Sequence, residues 1–191
     1  MLHRTIAALC IATCQVAHAA GEDQLLREGG VTIYFRHAAT VATQVDVKGV
    51  DPKDCRGQRN LSPKGREQAL RISSALQALQ VDVEQEVLAS PYCRTMETAS
   101  LIAGRATPTR DVLGSTGTDG KRDYSKLEKI LATPPPKGKI RIVVNHGNQL
   151  EDLAGPPELA EGEAAIIRGD GKKWAVVARI PAGEWAKIGA R

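Results

Sequence analysis

Val31-Thr32-Ile33-Tyr34-Phe35-Arg36-His37 is a β-branched and aromatic run of strand length that follows Gly29-Gly30 and ends directly in an Arg-His pair. Working outward, Ile140-Arg141-Ile142-Val143-Val144 is a second run of the same kind, mostly apolar, and it leads through Asn145 into His146. A strand that is apolar on both faces belongs in a sheet covered on both sides. Between the two lies a helix signal: Ser62 as N-cap, Pro63 at the first helical position, and Ala69, Ile72, Leu76 and Leu79 recurring at helical spacing. Glu86-Val87-Leu88-Ala89 reads as a short strand, then Ser90-Pro91 and a helix through about Ala103; Lys126–Leu131 reads as a further helix. Ala164–Ile167 and Trp174–Ile180 read as two strands around the turn Gly169-Asp170-Gly171. Residues 38–60 and 104–123 are polar or rich in Gly, Thr and Asp and read as long loops, and Thr133–Gly138 reads as a stiff surface connection. Strands alternating with helices predict an α/β fold with a largely parallel central sheet.

The N-terminus carries a different pattern. Arg4 precedes the short apolar stretch Ile6–Ala12, and Ala17-His18-Ala19 fits a small-x-small cleavage site, so Met1–Ala19 reads as a secretory signal. The stretch is well short of the roughly 20 apolar residues that a membrane span needs. Thr13 ahead of Cys14 is larger than the residues that usually precede a lipidated cysteine. The expectation is an exported protein, periplasmic or secreted, with one domain over residues 20–191 and no stable membrane insertion after cleavage. Removing the signal leaves Cys55 and Cys93, which in an oxidising compartment favour one disulfide, and it leaves His37 and His146 as the only histidines. Two histidines without a CxxC do not make the usual zinc site. With 26 Lys+Arg against 22 Asp+Glu the formal charge is +4, and no run of five basic residues occurs, which argues against a nucleic-acid partner.

Both remaining histidines stand at strand ends, and Arg94 stands in the first turn of the helix after a third strand. Open α/β sheets bind their ligands beyond the carboxyl ends of the strands. A lone histidine at such a place is usually a hydrogen-bonded structural residue; two histidines with Arg36 and Arg94 form a site for a tetrahedral dianion. Guanidinium forks match phosphate oxygens, and free N–H groups at a helix start add to them. One histidine then serves as nucleophile or base and the other stabilises charge on the transferred group. No Walker-type glycine loop or kinase signature supports nucleotide chemistry.

These residues resemble a known family. Arg36-His37-Ala38 is similar to the Arg-His-Gly signature of the histidine phosphatase superfamily, with the phosphoglycerate mutase-like fold. Asn60-Leu61-Ser62-Pro63-Lys64-Gly65-Arg66-Glu67-Gln68-Ala69 resembles its Leu-Thr/Ser-x-x-Gly-x-x-Gln-Ala helix, and Ser90 through Ala99 its Ser-x-x-x-Arg-x-x-x-Thr-Ala segment. Asn145-His146-Gly147-Asn148 is similar to the late catalytic histidine, and Glu161-Gly162-Glu163-Ala164 to the Gly-Glu segment after it. The resemblance spans residues 31–168 in the family's order. It implies a three-layer αβα sandwich and a small phosphorylated substrate, with His37 as the nucleophile that becomes phosphohistidine. Arg36, Arg94 and His146 complete the phosphate pocket, and no metal or organic cofactor is needed. An exported member with a cysteine in Ser-Pro-Tyr-Cys-Arg looks most like bacterial phosphatases of the lipopolysaccharide heptose phosphatase type.

Two departures stand out. Ala38 replaces the glycine after Arg-His, which bears on how closely the backbone approaches a ligand. The general acid is the other: one branch places a carboxylate well downstream of the second arginine, where this chain has Asp119, with Asp111 and Asp123 nearby. The other places it directly after the late histidine, where this chain has Gly147. Read without the resemblance, Asp119 is a turn residue in Thr118-Asp119-Gly120. The expectation is a phosphomonoester hydrolase with Asp119 as proton donor; the alternative is a non-catalytic binder of phosphorylated ligands that kept the pocket and lost the acid.

Overall fold

The computed structural model describes residues 21–116 and 120–188. The proposed signal, Met1–Ala19, and Asp119 lie outside the described residues. In chain order the elements are α1 (Glu22–Glu28), β1 (Val31–Arg36), α2 (Pro63–Ala78), β2 (Asp82–Ala89), α3 (Cys93–Ala103), β3 (Thr107–Pro108), β4 (Ser115–Thr116), β5 (Arg122–Asp123), α4 (Ser125–Ala132), β6 (Lys139–Asn145), α5 (Gly147–Ala154), β7 (Ala164–Gly169) and β8 (Trp174–Ile180).

Six strands form the main sheet in the order β3-β2-β6-β1-β7-β8. Four of them run parallel, with β1 against β6, β6 against β2 and β2 against β3; β7 and β8 return antiparallel at one edge. The short strands β4 and β5 pair with each other inside the 104–123 segment, and β3 joins the sheet edge. The stretch expected as a plain loop therefore holds three two-residue strands, too short for a period to show in the sequence.

The central strands are apolar on both faces because both faces are covered. Val31, Ile33 and Phe35 of β1 pack with Ile140, Ile142 and Val144 of β6 and Ala164 and Ile166 of β7 in one cluster, which α2 and α3 complete through Ile72, Leu76 and Ile102. Tyr34, Val143, Ala165 and Ile167 point the other way, into a cluster with Leu127 and Leu131 of α4 and Leu150 of α5. Alternation along each strand thus feeds two cores and produces three layers. The chemistry-bearing residues emerge where β1, β2 and β6 end side by side, with Arg36 opposite Asn145 in register and Ala89 opposite Val144.

Local rules account for the helix ends near the site. Ser62 caps α2, its hydroxyl accepting from the Gly65 N–H at 3.0 Å, with Pro63 at the first position. Cys55 and Cys93 are joined by a disulfide with their Cα atoms 5.6 Å apart. On the chain-entropy account, closing that loop stabilises the fold by about 4 kcal/mol at most. It also ties the 38–60 segment to the first turn of α3. Among the described residues no helix is long and apolar enough to cross a membrane.

Candidate active site

His37 follows β1 directly and is 2% exposed. Its backbone N–H donates to the Asn145 carbonyl at 2.9 Å, and its carbonyl accepts from the Gly162 N–H at 2.9 Å, so the residue is clamped between two neighbouring segments. The ring is fixed as well: Nδ1 lies 3.0 Å from the Ala38 carbonyl. A carbonyl can only accept, so Nδ1 carries the proton and Nε2 keeps its lone pair. Burial pushes the pKa of His37 down to about 4; the Ala38 carbonyl opposes this, and Arg94 and Arg36 add to the depression. At neutral pH the ring is uncharged and of defined tautomer.

His146 stands just before α5, and its ring centre is 5.4 Å from that of His37. The Tyr34 hydroxyl donates to the His146 carbonyl at 2.7 Å, and the His146 Nε2 shares a hydrogen bond of 3.1 Å with the Ser90 hydroxyl. Burial holds its pKa well below the ordinary histidine value, and Arg94 and His37 add to the effect. The Tyr92 ring meets His146 edge-on, with centres 5.3 Å apart, and carries the Arg94 guanidinium 5.0 Å from its centre.

Arg36, Arg59 and Arg94 line one cavity of about 710 Å³ together with His37 and His146. Each of these arginines has a buried Nε–H without a protein acceptor. Buried donors are normally satisfied, and these three unsatisfied ones sit on arginines that line the same cavity. One terminal nitrogen of each is engaged: Arg36 Nη1 with the Leu159 carbonyl at 2.7 Å and with Glu158 at 3.1 Å, Arg94 Nη1 with Asp46 at 3.0 Å, and Arg59 Nη2 with Glu161 at 3.6 Å.

The helix motif read from the sequence supports this site from behind. A Cβ at Gly65 would lie 1.9 Å from the Ala39 carbonyl oxygen, which also accepts from the Ser62 N–H at 3.0 Å, so only glycine lets α2 dock on the segment after His37. Gln68 accepts from the Ala39 N–H at 3.0 Å and donates to the Glu161 carbonyl at 3.2 Å. Gly162 has φ +79°, and the Gln68 amide occupies the space a side chain there would need. Burial raises the pKa of Glu161, but hydrogen bonds from the Thr40 hydroxyl and N–H outweigh this and hold the carboxyl below its ordinary range. Ala38 is fully buried in the apolar cluster and does not line the cavity; its N–H donates to the Thr98 hydroxyl at 3.0 Å.

Of the carboxylates considered from the sequence, Asp111 pairs with Lys126 at 2.8 Å and Asp123 accepts from the Ser125 N–H at 2.9 Å; neither lines the cavity. The two that do line it, Asp46 and Glu158, escaped sequence reasoning. Glu158 packs against Gly147, where a Cβ would lie 2.5 Å from its side chain. Among the described residues no group of three or more His, Cys, Asp or Glu side chains is arranged to hold a metal ion.

Residues 33–112 match the sequence model of the histidine phosphatase superfamily (branch 1). That match takes in Arg36, His37, the α2 motif and Arg94. Solved structures share the fold. The chain is similar to the protein histidine phosphatase SixA complexed with tungstate, with a TM-score of 0.55 and 15% identity, covering 81% of this chain and 98% of that one. It is similar to a phosphoserine phosphatase from Entamoeba histolytica in complex with 3-phosphoglyceric acid (TM-score 0.51, 14% identity, 78% and 95% covered). It is also similar to a protein of Thermus thermophilus, TTHB049 (TM-score 0.52, 13% identity, 79% and 99% covered). No match to the sequence is found among curated proteins. The mostly parallel main sheet and its covering helices match the fold of these structures.

Proposed function

We propose that the protein is an exported phosphatase that hydrolyses a phosphomonoester through a phosphohistidine on His37. The observation that carries this reading is the His37 ring: its Nδ1 proton is tied to the Ala38 carbonyl, and the residue lines a cavity together with Arg36, Arg59 and Arg94. Arg36 and Arg94 grip the phosphoryl oxygens. The Nε2 lone pair of His37 attacks phosphorus, the N–P bond forms as the bond to the ester oxygen breaks, and a carboxylic acid protonates the departing alcohol. Water then attacks phosphorus and gives a proton to the carboxylate left by the first step, the N–P bond breaks, and its electron pair returns to His37. His146 donates to the transferred oxygens, and the arginines offset their charge throughout. Asp119 is the proton donor in this reading, with Asp46 and Glu158 as rivals from the cavity wall.

The signal pattern of Met1–Ala19 and the Cys55–Cys93 disulfide support export, and residues 20–191 act as one domain. The lipopolysaccharide heptose phosphatase type is the subgroup we favour, on Cys93 beside Arg94. Turnover of p-nitrophenyl phosphate, set against binding of orthovanadate, tests the reading. Wild type turns over the ester, and His37→Ala loses turnover while keeping its fold by circular dichroism. Vanadate binding without turnover in the wild type identifies a binder instead.

A further inference from the structure

The cavity carries more positive charge than one phosphate uses. Six cations line it, Arg36, Lys48, Arg59, Arg94, Arg110 and Arg122, against the carboxylates of Asp46 and Glu158 in its wall and of Glu161 beside Arg59, a formal surplus of +3. Both histidines are uncharged at neutral pH and add nothing. A single phosphomonoester dianion leaves about +1 unanswered. The surplus has a place. Arg36 and Arg94 face Glu158 and Asp46, whereas Lys48, Arg110 and Arg122 have no carboxylate partner among the described residues. Arg59 adds a buried Nε–H without an acceptor. These residues come from the two segments that follow β1 and α3, so both long connections bring cations to the same cavity. At about 710 Å³ that cavity is in the range of whole small-molecule ligands, well beyond orthophosphate.

We infer that the site takes a ligand with two phosphoryl groups, one held at His37, Arg36 and Arg94 and the second by Arg59, Lys48, Arg110 and Arg122. The inference rests on the reading of His37 as the place of the first phosphoryl group. Guanidinium forks suit a second phosphoryl group geometrically, and a cleft lined by one sign of charge concentrates polyanions.

Calorimetric titration of the full chain with orthophosphate and with tripolyphosphate tests it. Tripolyphosphate binds the wild type at least tenfold more tightly than orthophosphate, and Arg110→Gln/Arg122→Gln cuts that ratio at least fivefold. Arg110→Gln alone, in case the double variant folds poorly, cuts it about two- to threefold. Lys172→Gln/Lys173→Gln removes the same charge away from this cavity and keeps the ratio. An equal affinity for both anions, a ratio that survives the Arg110 and Arg122 changes, or one that falls as far in the Lys172/Lys173 variant overturns the second subsite. Anion binding with the expected ratio but no ester turnover overturns the phosphatase reading alone, and failure of either anion to bind overturns both.

Discussion

The Asp46 carboxylate accepts from the Arg94 guanidinium at 3.0 Å and, through the same oxygen, from the Arg59 N–H at 2.9 Å. An acidic side chain from the long segment after β1 therefore occupies the arginine that the proposed mechanism assigns to the phosphoryl group. Ligand binding sets a second anion against Asp46 for the same donors. Asp46→Asn removes that rival, and a half-exposed ion pair is worth about 1 kcal/mol or less. Orthophosphate affinity then rises about two- to fivefold by calorimetry. A loss of affinity in this variant would show that Asp46 instead holds Arg94 in place for the ligand.

The proton donor is found by leaving-group dependence. General acid help is typically worth roughly 10²–10⁴-fold and matters little when the leaving group is already a stable anion. Asp119→Asn lowers turnover of an alkyl phosphate by that amount and of p-nitrophenyl phosphate by less than about tenfold. Asp46→Asn and Glu158→Gln, measured alongside, show no such contrast. If either does and Asp119→Asn does not, the role passes to that residue.

Gly65 is a packing requirement of the site. A methyl group there would lie 1.9 Å from the Ala39 carbonyl, a backbone atom that cannot swing aside. Overpacking of this kind costs about 3 kcal/mol. For a chain of this size, Gly65→Ala lowers the thermal midpoint by about 6–12 °C. Because the displaced segment begins at Ala38, turnover falls further than the loss of folded protein explains. A normal midpoint with normal activity contradicts the docking described for α2.

Much of this was legible in the sequence, for definite reasons. β1 and β6 declare themselves because burial on both faces demands uninterrupted apolar residues, and α2 because Ser62, Pro63 and the spacing from Ala69 to Leu76 agree. Arg36, His37, Arg94 and His146 could be placed because strand ends fix their position. α5 could not: it starts at Gly147-Asn148 with no side-chain cap and spans only 8 residues. Asp46 and Glu158 stayed hidden because their segments have no period, and their places are set by contacts far along the chain, with the Arg59 N–H in one case and Arg36 in the other.

The depressed histidines make a pH prediction. In the unfolded chain His37 titrates near its ordinary 6.5, whereas burial brings it to about 4 in the fold. Below pH 6.5 the unfolded state therefore binds protons that the native state does not, so stability rises with pH in that window. The contribution is fully present above 6.5 and is lost as pH falls toward 4, at about 1.4 kcal/mol per pH unit for each such group. His146 acts in the same direction. Urea midpoints followed from about pH 7.5 to about 4.5 fall in the wild type and fall less steeply in His37→Asn. Turnover keeps its neutral-imidazole nucleophile through pH 6.5, where an ordinary histidine would lose half of it.

The most direct measurement is chemical trapping of the enzyme during turnover. Wild-type protein mixed with phosphorus-labelled p-nitrophenyl phosphate and quenched in alkali carries label in a base-stable, acid-labile form, the behaviour of an N–P bond. After digestion the label maps to the peptide containing His37, and His37→Ala carries none. Label that is stable to acid, label on a peptide without His37, or label that persists in His37→Ala contradicts the account.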